Sequence, residues 1–198
     1  MSVAEHSFTL QPLDWTAWLP TIDLADATPE QIAVLEESLP TAKTSPYYLL
    51  LARDVEVLRE RSRLFNAVMY APKGLPRADR ELATVAVSYV NGCTYCASVH
   101  AIRFTQLTKH PEIIQGIFDA GIDIELGERD RAIVDYSVKL TRHPSAMGPE
   151  DLAPLRRVGL TDLEILDLTN AAAMFAWANR LMQTLGAPAE PAREGNPL

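Results

Sequence analysis

From Thr28 onward the apolar residues of the chain recur three and four positions apart, the spacing that lines one face of an α-helix. TPEQIAVLEESL starts with Thr28 as N-cap, Pro29 in the first turn and Glu30 near the helix's positive end. Ser45-Pro46 repeats that signal. From Tyr47 to Tyr70 neither Gly nor Pro interrupts the pattern, which predicts one long helix or two abutting ones. APKGLPRAD breaks it. A helix is predicted from about Arg77 to Val90. Asn91-Gly92 stops it, because both residues tolerate a left-handed backbone. The next helix runs from Cys93 to about Leu107, and Pro111 opens another that ends near Gly121. GERDRAIVDYSVKLTR is a further amphipathic helix and HPSAMGPE a loop. Pro149-Glu150 starts a short helix ending near Gly159. TDLEILDLTNAAAMFAWANRLMQTL, capped by Thr161 or Asp162, is a long apolar last helix. No segment alternates with the period of a half-buried strand, so the expected fold class is all-α, without strands. ADRELATV around Glu81 faintly echoes TDLEILDL around Glu164, which suits two related helical halves.

Before Thr28 the helical pattern is lost. Residues 1–27, with Pro12, Trp15, Trp18 and Pro20, read as an irregular arm whose tryptophans pack on the body or on a neighbouring subunit. The expected organisation is this arm, a single all-helical domain over residues 28–186, and a flexible tail over 187–198, rich in Pro, Gly and Ala. In the last helix Met174, Phe175, Trp177 and Met182 sit at core spacing, as packing residues or walls of a site. Asn179 and Arg180 are polar within that apolar stretch and, if buried, need partners. His110 and His143 each precede a proline and are expected at the surface.

The composition narrows the function. The chain has 198 residues, 47% of them apolar, enough for one domain with a core. A formal net charge of −8 with only 18 Lys and Arg repels phosphate backbones, so nucleic acid is not an expected partner. No apolar run has the length needed to span a bilayer. MSVAEHSFTL lacks the basic and apolar regions of a secretory signal. The expected location is therefore the reducing cytoplasm. There, two cysteines spaced C-x-x-C point to redox or metal chemistry before a structural staple.

Both cysteines lie in NGCTYCASVHA. Cys96 is three residues after Cys93, and His100 four after Cys96, so all three share one helix face. A dithiol with a proton carrier needs that arrangement. Thiolate, not thiol, attacks an oxidant. A helix N-terminus and a nearby imidazole both favour it. The second thiol then resolves a sulfenic acid to a disulfide. The helix dipole favours ionisation at Cys93, whereas His100 favours Cys96. Structural zinc is the alternative, but it needs four ligands. Besides this trio the chain offers only His6, His110 and His143 among its histidines, with no second C-x-x-C. Two inert core thiols are a further alternative. Glu81 reads on its own as an exposed first-turn glutamate complementing the dipole. It could instead be a carboxylate that reaches His100 or a bound water as proton acceptor.

Glu81, Cys93, Cys96 and His100 together spell E-x(11)-C-x-x-C-x-x-x-H. This resembles the signature of the alkylhydroperoxidase D-like (AhpD-like) proteins of the carboxymuconolactone decarboxylase superfamily. The match is strong over Arg77 to Phe104 and loose over Ser45 to Leu185. The long N-terminal arm resembles the peroxidase-related branch. The resemblance implies an all-helical homo-oligomer (dimer, trimer or hexamer) and thiol-dependent reduction of small hydroperoxides without metal, haem or other cofactor. It implies Cys96 as the attacking sulfur and Cys93 as the resolving, more exposed one. It also implies His100 hydrogen-bonded near Cys96, and Glu81 as a base acting through His100 or water. A dithiol reductant protein, lipoyl-bearing in the type system, is the implied partner. Tyr95 stands where the type pattern has a second histidine. A tyrosine, with a pKa near 10, shuttles protons poorly at neutral pH, but can donate a hydrogen bond to a peroxide oxygen or cover the site. An acid–base enzyme of the decarboxylase type, using Glu81 and His100, and a redox-sensing or disulfide-exchange protein are the alternatives.

Overall fold

The computed structural model describes residues 7–190. His6 and the last eight residues of the expected tail lie outside that range. The fold is all-α, with helices where the periodicity placed them. They are α1 (Pro29–Ser38), α2 (Pro46–Leu51), α3 (Val55–Tyr70), α4 (Arg77–Val90), α5 (Thr94–Thr108), α6 (Pro111–Ala120), α7 (Glu128–Arg142), α8 (Leu152–Arg157) and α9 (Asp162–Leu185). Local chemistry sets the ends. Thr28 accepts a bond from the Gln31 N–H, and the Gln31 side chain accepts one from the Thr28 N–H. Thr161 and Glu164 repeat this capping box at α9. Between Tyr47 and Tyr70 there are two helices rather than one, because Asp54 caps the second by accepting the Val57 N–H at 3.1 Å. The loop HPSAMGPE contains short 3₁₀ turns at Pro144–Ala146 and, at its end, Pro149–Asp151.

The expectation of no strands is overturned. Asp14–Ala17 (β1) pairs antiparallel with Gly186–Ala189 (β2), with Trp15 opposite Pro188. Four-residue strands containing Pro and Ala are too short and too weak in β-propensity to show alternation. The pairing is fixed by tertiary contact instead. Trp15 is buried and donates from Nε1 to the Met182 carbonyl at 3.1 Å. Gly186 lies so close beneath it that a Cβ would come within 2.2 Å of the indole and 2.3 Å of the Thr16 carbonyl. The arm is thus partly ordered strand, and residues 187–189 of the expected tail belong to that ribbon. Of the two arm tryptophans Trp15 packs on the body, while Trp18 is exposed.

Helix α4 is the centre, packed against α5, α7 and α9. Every residue from Asp79 to Ser88 is buried. Its polar residues are therefore obliged to find partners. Asp79 pairs with Arg129, and Arg80 reaches two carbonyls and Asp167. The same Asp167 oxygen accepts the Leu75 N–H at 2.9 Å and fills the space where a side chain at Gly74 would stand. Among the described residues no helix is long and apolar enough to cross a membrane.

Candidate active site

The corner between α4 and α5 places the sulfurs. Gly92 takes φ +71°, and the Gly92 and Cys93 N–H groups bond back to the Tyr89 and Ser88 carbonyls at 3.0 and 2.9 Å. This is a Schellman ending, as Asn91-Gly92 foretold. Cys93 closes α4 and caps α5 at once: its carbonyl accepts the Ala97 N–H at 3.0 Å. One turn along, Cys96 and His100 line a cavity of about 290 Å³ together with Tyr95. Cys93 is not among the lining residues. Both cysteines are buried, Cys93 2% exposed and Cys96 6%. Both thiols are free and hydrogen-bonded to each other.

Glu81 is fully buried in the second turn of α4, not an exposed first-turn residue. Its carboxylate bonds His100 through Nδ1, and Arg77 on its other oxygen. Burial pushes the Glu81 carboxyl up. The opposing pull of His100, then Arg77 and Arg103, prevails and holds it below its ordinary value. Burial holds His100 below its ordinary value despite Glu81. The pair is therefore carboxylate and neutral imidazole, with Nδ1–H donating to Glu81 and Nε2 left as the basic nitrogen. The His100 ring stands edge-on to Phe175, with centroids 4.4 Å apart. Glu164, the echo of Glu81, is instead a half-buried capping residue.

The two thiols differ. The Cys96 thiol lowers the pKa of Cys93 by hydrogen bonding. Burial opposes this, and the Cys96 N–H and the Asn179 side chain reinforce it. Cys96 is raised well above its ordinary value, by the bond to Cys93, by burial and by the Cys93 charge. Cys93 thus loses its proton first, chiefly through its hydrogen bond with Cys96. Burial also raises Tyr95, which makes it a still poorer shuttle. Among the described residues no three His, Cys, Asp or Glu side chains converge to hold a metal ion. His110 and His143 are exposed and distant from this constellation in role, His110 pairing with Glu112.

Other residues complete the site. Asn179, flagged by its polarity, is fully buried. It accepts from Asn91 at 3.0 Å, donates to Ser88 at 3.1 Å and reaches both thiols. Phe175, Met182 and Trp15 wall the cavity, whereas Trp177 is 39% exposed rather than a core residue, and Arg180 faces solvent. Sequence reasoning missed Arg61, Tyr47 and Tyr48, which line the cavity from α2 and α3. A signal was present: Arg61 lies on the apolar face of α3 with Leu58 and Phe65.

Comparison with known proteins agrees with this geometry. The sequence model of the carboxymuconolactone decarboxylase family matches residues 56–136, which include all four signature residues. An uncharacterized peroxidase-related protein from Ralstonia eutropha JMP134, described as an alkylhydroperoxidase AhpD core, superposes with a TM-score of 0.75 at 25% identity. The alignment covers 85% of this chain and 90% of that one. Residues 56–136 thus resemble the carboxymuconolactone decarboxylase family, and the fold is that of the AhpD-like proteins. A peroxidase-related protein from Silicibacter sp. TM1040 is also similar, with a TM-score of 0.68, 28% identity and coverage of 85% and 92%. The debrominase Bmp8 shares the fold, with a TM-score of 0.67, 17% identity and coverage of 83% and 87%. Among curated proteins none matches the chain.

Proposed function

We propose that this AhpD-like protein is a thiol-dependent hydroperoxide reductase. The observation that carries the reading is the shared cavity: Cys96 and His100 line it one helical turn apart, with the free Cys93 thiol hydrogen-bonded to Cys96. The Cys96 sulfur attacks the distal oxygen of the hydroperoxide while His100 Nε2 takes its proton. The O–O bond breaks, and the alkoxide leaves with the electron pair and receives that proton. Cys96 is now a sulfenic acid. Cys93, the more easily ionised thiol, attacks the Cys96 sulfur and expels hydroxide, which takes a proton from solvent. One hydroperoxide becomes alcohol and water, and the two thiols become a disulfide. A dithiol reductant protein, lipoyl-bearing in the type system, then restores the thiols by exchange. The similarity to structures described as peroxidase-related supports this assignment. Homo-oligomerisation and a cytoplasmic setting belong to the same proposal, the first testable by light scattering.

The test is cumene hydroperoxide consumption with dihydrolipoamide as reductant. Turnover lost in Cys96→Ser supports the reading. Equal turnover in wild type, Cys96→Ser and Cys93→Ser contradicts it. The buried Glu81–His100 pair favours a second reading, acid–base chemistry of the decarboxylase type, since that dyad is built without the sulfurs. That activity would survive alkylation of both thiols.

A further inference from the structure

Arg61 differs from the other buried arginine, Arg80. Arg80 is held by a carboxylate and two carbonyls. Arg61 is only 8% exposed, yet among the described residues it has no carboxylate partner. Its one hydrogen bond goes to the Tyr48 hydroxyl at 2.6 Å, and its Nε, like that of Arg80, has no partner. Three rings enclose it: Tyr47, Tyr48 and Phe65 lie with centroids 5.7, 5.0 and 4.7 Å from its guanidinium carbon. The Tyr47 hydroxyl is likewise buried and unpartnered. Arg61 and Tyr47 both line the cavity that holds Cys96 and His100, and the half-buried Arg103 lines it too. The one carboxylate among the lining residues, Asp14, is exposed. A guanidinium is a permanent cation, and burying it without a counter-ion is costly. The cavity is therefore positively charged, ring-walled and supplied with free donors.

We propose that Arg61, with the Tyr47 hydroxyl, receives an anionic group of the substrate, and that the substrate class is small organic hydroperoxides bearing a carboxylate. The carboxylate bonds Arg61, the apolar body lies among Tyr48, Phe65 and Phe175, and the peroxide faces Cys96. The cavity is small, at the lower end of the roughly 300–1,000 Å³ usual for ligand sites, which limits the body to about one ring. The substrate class rests on the peroxidase reading; the anion site itself does not.

The two are separated by two measurements. Calorimetric titration of the reduced full-length protein with benzoate and with benzyl alcohol tests the anion site alone. Benzoate should bind the more tightly, and Arg61→Gln should weaken it by at least about tenfold, the loss expected for a charge-assisted bond. Arg61→Lys, which keeps the charge, should lie between. Equal binding of the two probes by wild type, or no benzoate binding, overturns the proposal even if the variants do not fold. The second measurement compares turnover of a carboxylated and an uncharged aryl hydroperoxide. Arg61→Gln should reduce the kcat/KM preference for the carboxylated one at least about tenfold, through KM. An unchanged ratio with kcat lowered for both would make Arg61 a thiol-activating residue and overturn the proposal. Selective benzoate binding without turnover of either hydroperoxide would leave the anion site standing and sink the peroxidase reading.

Discussion

Glu81→Gln isolates the charge that orients His100 while keeping the shape of the side chain. In the wild type the carboxylate serves two donors, His100 Nδ1–H and the Arg77 guanidinium, from a fully buried position. An amide can turn only one oxygen to them. Facing His100, it replaces a charge-assisted bond of about 1.5–3 kcal/mol with a neutral one of about 0.5–1.5. Its NH₂ then meets Arg77, which is 24% exposed and can turn to water, where its pair was worth at most about 1 kcal/mol. Relief of the buried charge offsets part of this. The net loss is about 1–3 kcal/mol, a fall in Tm of about 2–12 °C for a domain of this size. The effect on rate should be larger. Glu81 raises the His100 pKa against burial, so its removal makes Nε2 a weaker base. Under the proposed mechanism kcat/KM for cumene hydroperoxide falls by about 10²-fold, and the acidic limb of its pH profile moves to lower pH. The pair also makes the fold acid-sensitive. His100 is lowered from 6.5, so the unfolded chain binds its proton first, and stability falls as pH drops below 6.5 toward the folded value. Glu81 is lowered from 4.5, so its contribution is present above 4.5 and lost as pH falls through its folded value. In Glu81→Gln the second decline should vanish. A rate within twofold of wild type, with an unmoved acidic limb, would refute the role given to the dyad.

Cys96→Ala removes the largest cause of the lowered Cys93 pKa while burial remains, so Cys93 should titrate higher than in wild type; thiolate absorbance against pH reads this, and a fall would contradict the hydrogen-bonded pair. Asn179→Ala strips partners from Ser88 and Asn91 inside the core and should cost about 1–3 kcal/mol, or about 2–12 °C in Tm, with both thiols titrating higher. Trp15→Ala should cost about 3–5 kcal/mol in thermal or denaturant unfolding, as for a buried aromatic, and speed alkylation of Cys96 by removing a cavity wall; a loss below about 1 kcal/mol would mean the arm does not pack as described.

Helix positions were legible because the helices carry their own periodicity and stops, with side-chain caps at α1, α3 and α9, down to the Asn91-Gly92 turn that delivers Cys93 to its place. The sequence spacing also brought Glu81, Cys96 and His100 to one neighbourhood. What was not legible depends on distant segments. The β1–β2 ribbon joins chain segments over 160 residues apart and is settled by Trp15 closing on Gly186. The burial of Glu81 follows from α4 being enclosed on several sides, which a first-turn pattern cannot reveal. The order of ionisation of the thiols turns on their mutual hydrogen bond and on Asn179, across from them on α9. Arg61 stood on an apolar face as a lone charge, and only the cavity explains why it is there.

The central claim is that Cys96 meets the oxidant and Cys93 closes the disulfide. One equivalent of cumene hydroperoxide added to the fully reduced protein, followed by mass spectrometry and thiol counting, tests it most directly. The account predicts loss of both thiols to an intramolecular disulfide in the wild type, and a sulfenic acid confined to Cys96 in Cys93→Ser. Thiols untouched by the peroxide, or a sulfenic acid that accumulates on Cys93 in Cys96→Ser at the wild-type rate, would contradict it.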